Sequence, residues 1–507
     1  MGTQYKTTIA IVGAGASGVA CLIQLVIKHI VSAKIDPISI ILFEKRNEFG
    51  PGLAYGTGQE GHLLNTRAGL MGIFPDEPLH FVQWMQSHQQ SLGNRLDQHI
   101  HPNAYPPRMR YGEYVQAMLN YYQQEAGRHG ITVKKERAEI IDAEITGDQK
   151  VILVASGCNR YIADYVILAT GNPRSNNFTH LENLHAYIPS PWPAGRILTT
   201  VTDKYARVGI VGSSLTAIDA MITLVENGHK GTISFFSLEG LLPRVQPPIE
   251  APYERKILTL SNIRKLIRET QRPLRVKDLI RFLRAEAEQH LQQQVNWKAE
   301  ERRGKDPLKL LTKDIQDALG GHSIVQRILY SLRYESYPIW KMLPADQKLL
   351  FGKWIKTDVD INWHAIPMEN GIKLKQMLES GQLLVIGHSD DIEWNGNHFI
   401  LKTNDGKSYR ADFVINASGP ATSLQQMDDL PLLQQLLKRG YIEEYGPGGL
   451  MADLNTMRIL TQDVTSHSPF YAIGHPLIGL QHDVNALWFN VTQADKLTDD
   501  LIQRLSR

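Results

Sequence analysis

Residues 8–18 read Thr-Ile-Ala-Ile-Val-Gly-Ala-Gly-Ala-Ser-Gly, and this stretch decides the fold. Its first five residues form a short apolar run with β-branched side chains, which is typical of a buried strand. The apolar run at 19–31, after the glycines, predicts a helix. A strand, a tight glycine turn and a helix in this order indicate the phosphate-binding turn of a dinucleotide-binding unit.

Each glycine of this turn has its own physical role. Gly13 permits the tight turn, Gly15 lets a pyrophosphate approach the backbone, and Gly18 lets the helix pack closely on the strand. The free N–H groups at the start of the helix, around Ser17, would then bind the phosphates. The alternative interpretation is a glycine-rich turn in an ordinary α/β fold.

An acidic residue completes the pattern. A second predicted strand at 38–43 ends in Glu44, which Lys45 follows. The Glu44 carboxylate would accept hydrogen bonds from ribose hydroxyls, and Lys45 lies at the same strand end. The acidic residue comes later than the usual ~20 positions after the turn, which a longer helix and loop accounts for.

The second half of the chain repeats this plan. Residues 207–211 predict a strand, Gly212, Ser213 and Ser214 form the following turn, and 217–227 predicts a helix. The segments 163–171 and 411–419 also match each other, and each follows a predicted hairpin. The repeat predicts an α/β fold with two Rossmann-like dinucleotide-binding domains. The first domain is expected to be three-layered and glutathione-reductase-like.

The repeat also predicts the domain boundaries. We expect 1–200 to form the first part of the first domain, 201–404 the second domain, and 405–507 a return to the first. Residues 246–345 are rich in charged residues and glutamine at helical spacing, with helices expected at 276–291 and 307–319. They predict a helical insertion in the second domain. It is either a lid that sets specificity or an appendage for oligomer contacts, and its charge indicates a solvated face.

The second turn departs from the glycine pattern. Ser214 stands at the second glycine position and adds a Cβ beside the pyrophosphate, although a serine hydroxyl can also donate to phosphate. Glu239 follows the next strand, and no arginine near the strand end is available for the 2′-phosphate of NADPH. The pattern favours NADH over NADPH. It leaves open that this domain binds no nucleotide.

The composition of the chain excludes several classes of protein. The 507 residues carry a formal net charge of +2 and 42% hydrophobic residues, which is ordinary for a globular chain of several domains and gives no nucleic-acid footprint. No apolar run approaches the ~18 residues of a membrane span. The only cysteines are Cys21 and Cys158, which excludes a disulfide framework, a cysteine-based zinc site and dithiol chemistry. We therefore expect a cytoplasmic protein without a metal site.

Further motifs follow the first glycine turn in a recognisable order. They are Gly50-x-Gly52-x-Ala54-Tyr55, His62-Leu-Leu-Asn65, Phe74-Pro-Asp76, His80-Phe81-x-x-Trp84 and the later runs at 415–420 and 432–440. Together they resemble bacterial FAD/NAD(P)-binding proteins that are similar to class B flavin monooxygenases, a group that includes amino-acid N-hydroxylases. The resemblance covers nearly the whole chain and is weakest in the insertion. It implies FAD in the first domain and NADH or NADPH in the second.

The resemblance also implies roles for individual residues. Those matched to the cofactors are Gly13, Gly15, Gly18 and Glu44 at the FAD fingerprint, Tyr55, Leu64 and Asn65 near the flavin ring, and Thr170, Gly171, Ser418 and Gly419 at the two strand ends. Gly474 matches a late turn whose backbone N–H groups lie near the flavin. An acidic residue usually follows that glycine, whereas this chain has His475.

The loop after Gly474 supplies the candidate catalytic residues. If it faces the flavin, then His475, His482 and Asp483 are placed for substrate binding or proton transfer, since histidine titrates near neutral pH. The alternative is that they are polar loop residues hydrogen-bonded to the backbone.

The leading functional hypothesis is a flavoenzyme in which NAD(P)H reduces FAD, and O₂ is then used to hydroxylate a small polar substrate, an amino acid or an amine. A second hypothesis is a flavin-dependent dehydrogenase or oxidase with a degenerate nucleotide site. A third is a flavin-binding protein without turnover. Small-molecule substrate and O₂ are the expected partners, with no nucleic acid or membrane, and the oligomeric state stays open.

Overall fold

The computed structural model describes residues 7–32, 36–88, 100–298, 300–321, 323–461 and 468–506. The chain forms two compact units. The first comprises the described residues within Met1–Gly58, Thr66–Arg174 and Ala421–Arg507, and the second comprises those within Gln59–Asn65 and Ser175–Pro420.

The elements of the first part of the chain begin with a strand, a helix and a strand and later include a run of six strands. In chain order they are β1 (Thr8–Val12), α1 (Ala16–Val31), β2 (Ser39–Glu44), α2 (Gly52–Tyr55), α3 (His80–Ser87), α4 (Arg108–Arg128), β3 (Thr132–Arg137), β4 (Ile140–Ile145), β5 (Val151–Ala155), β6 (Arg160–Ala163), β7 (Tyr165–Leu168), β8 (Tyr187–Ile188) and α5 (Gly195–Thr200).

The remaining elements include a long helical stretch. They are β9 (Val208–Val211), α6 (Leu215–Glu226), β10 (Ile233–Phe236), α7 (Leu260–Thr270), α8 (Val276–Leu291), α9 (Pro307–Leu319), α10 (Ile324–Ser331), α11 (Ser336–Met342), α12 (Ala345–Trp354), α13 (Lys356–Trp363), α14 (Met368–Glu379), β11 (Leu383–Ile386), β12 (Ser389–Trp394), β13 (Phe399–Thr403), β14 (Ser408–Ala411), β15 (Phe413–Asn416), α15 (Pro431–Lys438), β16 (Phe470–Ala472) and α16 (Leu487–Leu505). Short 3-10 turns lie at Ala68–Leu70, Thr179–Leu181, Leu424–Gln426 and His475–Leu477.

The first unit is built on a parallel sheet that, within the described residues, has five strands in the order β16-β7-β1-β2-β3. Strand β1 is at its centre, and Ile9, Ala10 and Ile11 are fully buried because both faces of the sheet are covered. The carboxyl ends of parallel strands meet at one edge. That edge therefore holds the turn after β1, Glu44 at the end of β2, and the segments after β7 and β16.

The second unit repeats this sheet. Its described strands run β11-β10-β9-β15-β8, all parallel, so β9, β10 and β15 correspond to β1, β2 and β7. Antiparallel three-stranded sheets, β4-β5-β6 and β12-β13-β14, precede β7 and β15 respectively. The predicted α/β fold with two Rossmann-like domains is confirmed.

A helical subdomain separates β10 from β11. The helices expected at 276–291 and 307–319 are present with those bounds. The helical segment continues to Glu379, past the predicted end at 345, because α12 and α13 spread their apolar side chains around the helix and give a weak periodic signal. Its own core includes Ile263, Ile328 and Trp340.

The chain passes between the units at 58/59, 65/66, 174/175 and 420/421, whereas the sequence predicted boundaries at 200 and 404. The segment Gln59–Asn65 belongs to the second unit because it binds α6: His62 Nε2 lies 2.9 Å from Thr223 Oγ1, and the Gly61 N–H donates to Glu226. No local pattern in the sequence signals this excursion. Among the described helices, none is both long enough and apolar enough to cross a membrane.

Candidate functional site

The glycine turn after β1 is shaped by backbone packing. Gly13 has φ +111°, and a Cβ there would lie 2.1 Å from the Ala169 carbonyl oxygen. A Cβ on Gly18 would lie 2.0 Å from the Gly13 carbonyl oxygen. Both glycines are therefore required by the protein itself, because any side chain would collide with backbone.

Gly15 differs from the other two glycines. A Cβ at Gly15 would meet only the Cα of Gly52, at 3.4 Å, which is ordinary van der Waals contact. Gly15 is the N-cap of α1 and, within the described residues, no side chain caps this helix end. The Gly50 N–H donates to the Ala14 carbonyl oxygen at 2.8 Å, so the 50–52 segment is held against the turn. The result is a bare helix N-terminus beside a glycine-lined gap, which fits a pyrophosphate.

Glu44 lies at the neighbouring strand end with only 6% of its surface exposed. One carboxylate oxygen accepts the Ala14 N–H at 3.3 Å, and the other accepts the Arg46 N–H at 3.1 Å. The carboxylate is thus fixed next to the glycine turn, where a nucleotide ribose would lie. Lys45 points elsewhere, since its ammonium group pairs with Glu139 at 3.2 Å.

A second cluster joins the two ends of the chain at this turn. The side-chain amide of Asn490, on α16, donates to Ser17 Oγ at 3.3 Å and to the Val484 carbonyl oxygen at 2.9 Å. Gly474 has φ +77°, and a Cβ there would face Asn490 at 3.9 Å and Ser17 at 4.0 Å. Gly474 therefore lies beside the first glycine turn. Sequence reasoning missed Asn490, which no local motif marks.

Two polar atoms in this region are shielded from solvent and have no hydrogen-bond partner among the described residues. They are the Asn490 side-chain oxygen and Thr170 Oγ1, after β7. Gly171 follows with φ +75°, so the chain turns sharply at this strand end. Buried polar atoms without partners are costly, and a ligand with donors and acceptors would satisfy them. The cradle of Gly15, Glu44, Ser17, Thr170 and Asn490 fits FAD.

The three residues that the resemblance implied near the flavin ring do not all belong to the same unit. Tyr55 lies in the first unit, packs edge-on against Tyr111 with ring centroids 4.6 Å apart, and burial raises its pKa to about 12. Leu64 and Asn65 lie in the second unit; Leu64 is buried, and the Asn65 backbone carbonyl accepts from Gln246 at 2.8 Å.

His475 does not have the character expected of a proton-transfer group. It is 1% exposed, its Nε2 lies 2.7 Å from the Ala421 carbonyl oxygen, and burial lowers its pKa to about 4. This pKa lies below the near-neutral range of an ordinary histidine. A neutral ring that donates Nε2–H to Ala421 is a structural anchor for the loop.

His482 and Asp483 are adjacent in the same loop. His482 Nδ1 lies 3.7 Å from the Asp483 carboxylate, with the histidine side chain 16% exposed and the carboxylate 2% exposed. A partly exposed imidazole backed by a buried carboxylate can exchange a proton with a ligand, since the carboxylate stabilises the charged ring. These two residues therefore stay candidates for proton transfer, and the buried His475 fits the alternative of a loop residue hydrogen-bonded to the backbone.

The second glycine turn is less open than the first. Gly212 has φ +106° and precedes α6. The Ser213 hydroxyl donates to the Leu241 carbonyl oxygen at 2.6 Å and contacts Ser237, so it is engaged within the protein. Ser214 is the exposed N-cap of α6, and its hydroxyl makes no capping hydrogen bond within the described residues. Ser214, and not Ser213, is therefore placed to meet a phosphate.

Ser418 and Gly419 follow β15 at the corresponding strand end of this unit. The Ser418 hydroxyl donates to Asn416 Oδ1 at 2.7 Å and contacts Ser175 Oγ at 2.8 Å. Gly419 has φ +93°. The Ser418 side chain therefore holds the 175–177 segment. What Ser418-Gly419 shares with Thr170-Gly171 is the turn at the strand end, where each glycine has a positive φ.

Glu239, after β10, is bound by the helical subdomain. Its carboxylate pairs with Arg303 at 2.6 Å and accepts from Thr357 Oγ1 at 3.0 Å. Arg303 also pairs with Glu301 and Asp358, each at 3.0 Å. The sequence showed no arginine near this strand end. The structure instead shows one arginine surrounded by three carboxylates, so the cluster stays negative overall.

Comparisons with known proteins agree with this geometry. Residues 10–173 match the family model described as FAD-NAD(P)-binding, and no curated protein sequence matches the chain. The ornithine hydroxylase of Pseudomonas aeruginosa in its reduced form superposes with a TM-score of 0.59 at 13% identity, over 99% of this chain and 100% of that chain. The chain has the fold of the FAD-containing ornithine N-hydroxylases.

Two further solved structures share this fold along the whole chain. The Kutzneria sp. 744 ornithine N-hydroxylase, solved with reduced FAD, NADP⁺ and L-ornithine, has a TM-score of 0.61 at 13% identity, over 99% of each chain. The L-lysine 6-monooxygenase of Pseudomonas syringae has a TM-score of 0.59 at 14% identity, over 99% of this chain and 100% of that chain. The predicted FAD and NAD(P) cofactors are confirmed at the level of the FAD-NAD(P)-binding domain.

Proposed function

We propose that this chain is an FAD-dependent monooxygenase that uses NADH or NADPH and hydroxylates a small polar substrate, an amino acid or an amine. The observation that carries the proposal is the cradle around Gly15 and Glu44, in a chain whose second unit repeats the nucleotide-binding sheet. The whole-length similarity to ornithine and lysine monooxygenases supports the choice of reaction.

The residues of the first unit bind and orient the cofactor. The N–H groups at the start of α1 would offset the charge of the pyrophosphate, and Gly15 leaves room for it. Glu44 would bind the ribose hydroxyls, while Ser17, Thr170 and Asn490 would supply polar contacts to the rest of the molecule. When bound, FAD supplies hydride acceptance from a nicotinamide nucleotide and the activation of O₂.

His482 and Asp483 would transfer protons to and from the substrate. The imidazole is partly exposed, so it can reach a ligand, and its Nδ1 lies 3.7 Å from the buried Asp483 carboxylate. His482 would hold or release a proton beside the substrate. His475 would only position the loop that carries these two residues.

The second unit would bind the nicotinamide nucleotide, with NADH used at least as well as NADPH. The 2′-hydroxyl of NADH can donate to a carboxylate, whereas a 2′-phosphate would face Glu239, Glu301 and Asp358 against the single guanidinium of Arg303. Arg303 could bind a 2′-phosphate, but it is already paired with these three carboxylates.

A flavin-dependent dehydrogenase or oxidase is the second candidate. It is favoured by the second turn, where Ser214 adds a Cβ at a glycine position and the Ser213 hydroxyl is engaged with Leu241. In that case an organic substrate, and not a nicotinamide nucleotide, would reduce the flavin.

The test is aerobic turnover with NADH or NADPH and a panel of amino acids and amines. Oxygen uptake, hydrogen peroxide and hydroxylated product would be followed together. The proposal predicts at least one substrate for which product accounts for most of the oxygen consumed. Substrate oxidation without any nicotinamide nucleotide would favour the second candidate.

A further inference from the structure

A cavity of about 200 Å³ lies in the helical subdomain of the second unit. Residues 250–253 line one side, and α10 with the turn after it lines the other. One water needs only ~10–15 Å³ on such a measure, and drug-sized pockets hold ~300–1,000 Å³, so the cavity suits a small organic molecule. None of the residues assigned to the cofactors lines it.

The wall of this cavity carries one surplus positive charge. Its carboxylate, Glu250, is paired with Arg333 at 3.0 Å and 3.3 Å between the two guanidinium nitrogens and the two carboxylate oxygens. Arg327, the other arginine of the wall, makes no ion pair with any acidic side chain in the part of the chain that the structure describes. A ligand with one negative charge would balance it.

Two of the three tyrosine rings of the wall already lie beside guanidinium groups. The guanidinium of Arg327 lies 5.4 Å from the ring centroid of Tyr253, and that of Arg333 lies 5.9 Å from the ring centroid of Tyr330. An ammonium ligand would have to compete with these guanidinium groups and would find no unpaired carboxylate. The wall therefore disfavours cations.

Arg327 also lacks hydrogen bonds that it needs. Its Nε is shielded from solvent and has no hydrogen-bond partner among the described residues. A carboxylate is the group that a guanidinium binds in a bidentate manner. Three tyrosines are among the other residues of the wall, and one of them, Tyr334, is 70% exposed as a residue. An aromatic ring would cover that surface.

We propose that this cavity binds a small carboxylate that carries an aromatic ring. The carboxylate pairs with Arg327, and the ring packs against Tyr334. The proposal goes beyond the redox reaction and does not depend on it, because it rests only on residues of the helical subdomain.

The experiment uses full-length, FAD-loaded protein and 3-phenylpropionate as the probe, with binding measured by titration calorimetry. Saturable binding to one site is expected. Arg327→Gln should weaken it at least about tenfold, since a charge-assisted bidentate pair is lost. 2-Phenylethylamine, which has the same ring but an ammonium group, should bind at least about tenfold more weakly than the acid.

Arg281→Gln is the matched control, because it removes the same charge from an exposed arginine of α8 outside the cavity, and it should bind the probe like the unmodified protein. Tyr334→Ala is a second variant that spares the core and should weaken binding severalfold, so it decides the matter if Arg327→Gln does not fold. No saturable binding at millimolar probe would overturn the proposal. So would equal affinity of the Arg327 variant, or an amine that binds as tightly as the acid.

Discussion

Arg303 Nη2 lies 2.6 Å from Glu239 Oε2, at the strand end where a nucleotide-binding domain reads the adenosine ribose. The arginine comes from the helical subdomain and the glutamate from the sheet. We expect this pair to disfavour NADPH in the second unit, because it engages the nearby guanidinium that could otherwise bind a 2′-phosphate.

The first prediction concerns nucleotide preference. Glu239→Gln should raise kcat/KM for NADPH relative to NADH by about fivefold, corresponding to ~1 kcal/mol, because it releases Arg303 and removes one negative charge. Steady-state rates with both nucleotides check this. Glu379→Gln removes an equal charge from a surface pair with Lys375 and should leave the ratio unchanged. Strong selectivity for NADPH in the unmodified protein would show that Arg303 already binds the phosphate.

The second prediction concerns Gly15. Gly15→Ala and Gly15→Val should give folded protein that is nearly colourless, with FAD affinity at least about tenfold lower, because the added carbons fill the gap that the pyrophosphate needs. The Cβ itself meets only Gly52 at 3.4 Å, so the fold tolerates it. Flavin content by absorbance and thermal unfolding would be measured on the same sample. Gly147→Val, at an open turn, is the control, and a yellow Gly15→Val protein with full occupancy would contradict our placement of FAD.

The third prediction tests Glu44. Its two carboxylate oxygens accept two backbone N–H groups, and an amide offers only one acceptor. Glu44→Gln should therefore weaken FAD binding about tenfold, measured by fluorescence on reconstitution. Glu139→Gln removes a carboxylate that pairs with the neighbouring Lys45 and should have little effect. If both variants lost the same FAD affinity, Glu44 would act only through its negative charge and not through its specific hydrogen bonds.

The fourth prediction is a pH dependence of stability. The unfolded chain protonates a histidine near pH 6.5, whereas folded His475 stays neutral down to about pH 4. The unfolded state therefore binds more protons between these values, and the free energy of unfolding should fall by on the order of 2–3 kcal/mol as pH drops through this window. Urea unfolding at several pH values measures it.

His475→Gln is the matched variant for that experiment. Glutamine keeps a donor for the Ala421 carbonyl oxygen but does not titrate, so the contribution of His475 to the pH slope should disappear. Turnover of this variant should keep the pH profile of the unmodified protein. A profile whose acidic limb vanishes in His475→Gln would restore His475 as a proton-transfer group.

Much of the fold could be read from the sequence because its signals are local. The run at 8–18 and its copy near Gly212 combine apolar strands, glycines and helix starts within a few residues, and both appear where the pattern placed them. Helix α8 was recognisable from its periodic apolar face. The position of Glu44 was also predictable from local signals, because it ends the second predicted apolar strand.

The parts that escaped prediction depend on contacts between distant positions. Ser17 and Asn490 are 473 positions apart, and no pattern around Asn490 announces their hydrogen bond. The ion pair of Glu239 with Arg303 also required the packing of a helical subdomain. The low pKa of His475 follows from burial that a loop sequence does not reveal.

In the proposed reaction, a nicotinamide nucleotide reduces FAD held by the first unit. The most direct test is rapid anaerobic mixing of the purified yellow protein with NADH or NADPH, while the visible absorbance of oxidised flavin is followed. We expect fast and complete bleaching, with NADH at least as effective as NADPH, and return of the colour on admission of O₂. A protein whose flavin is bleached by neither nucleotide would contradict it.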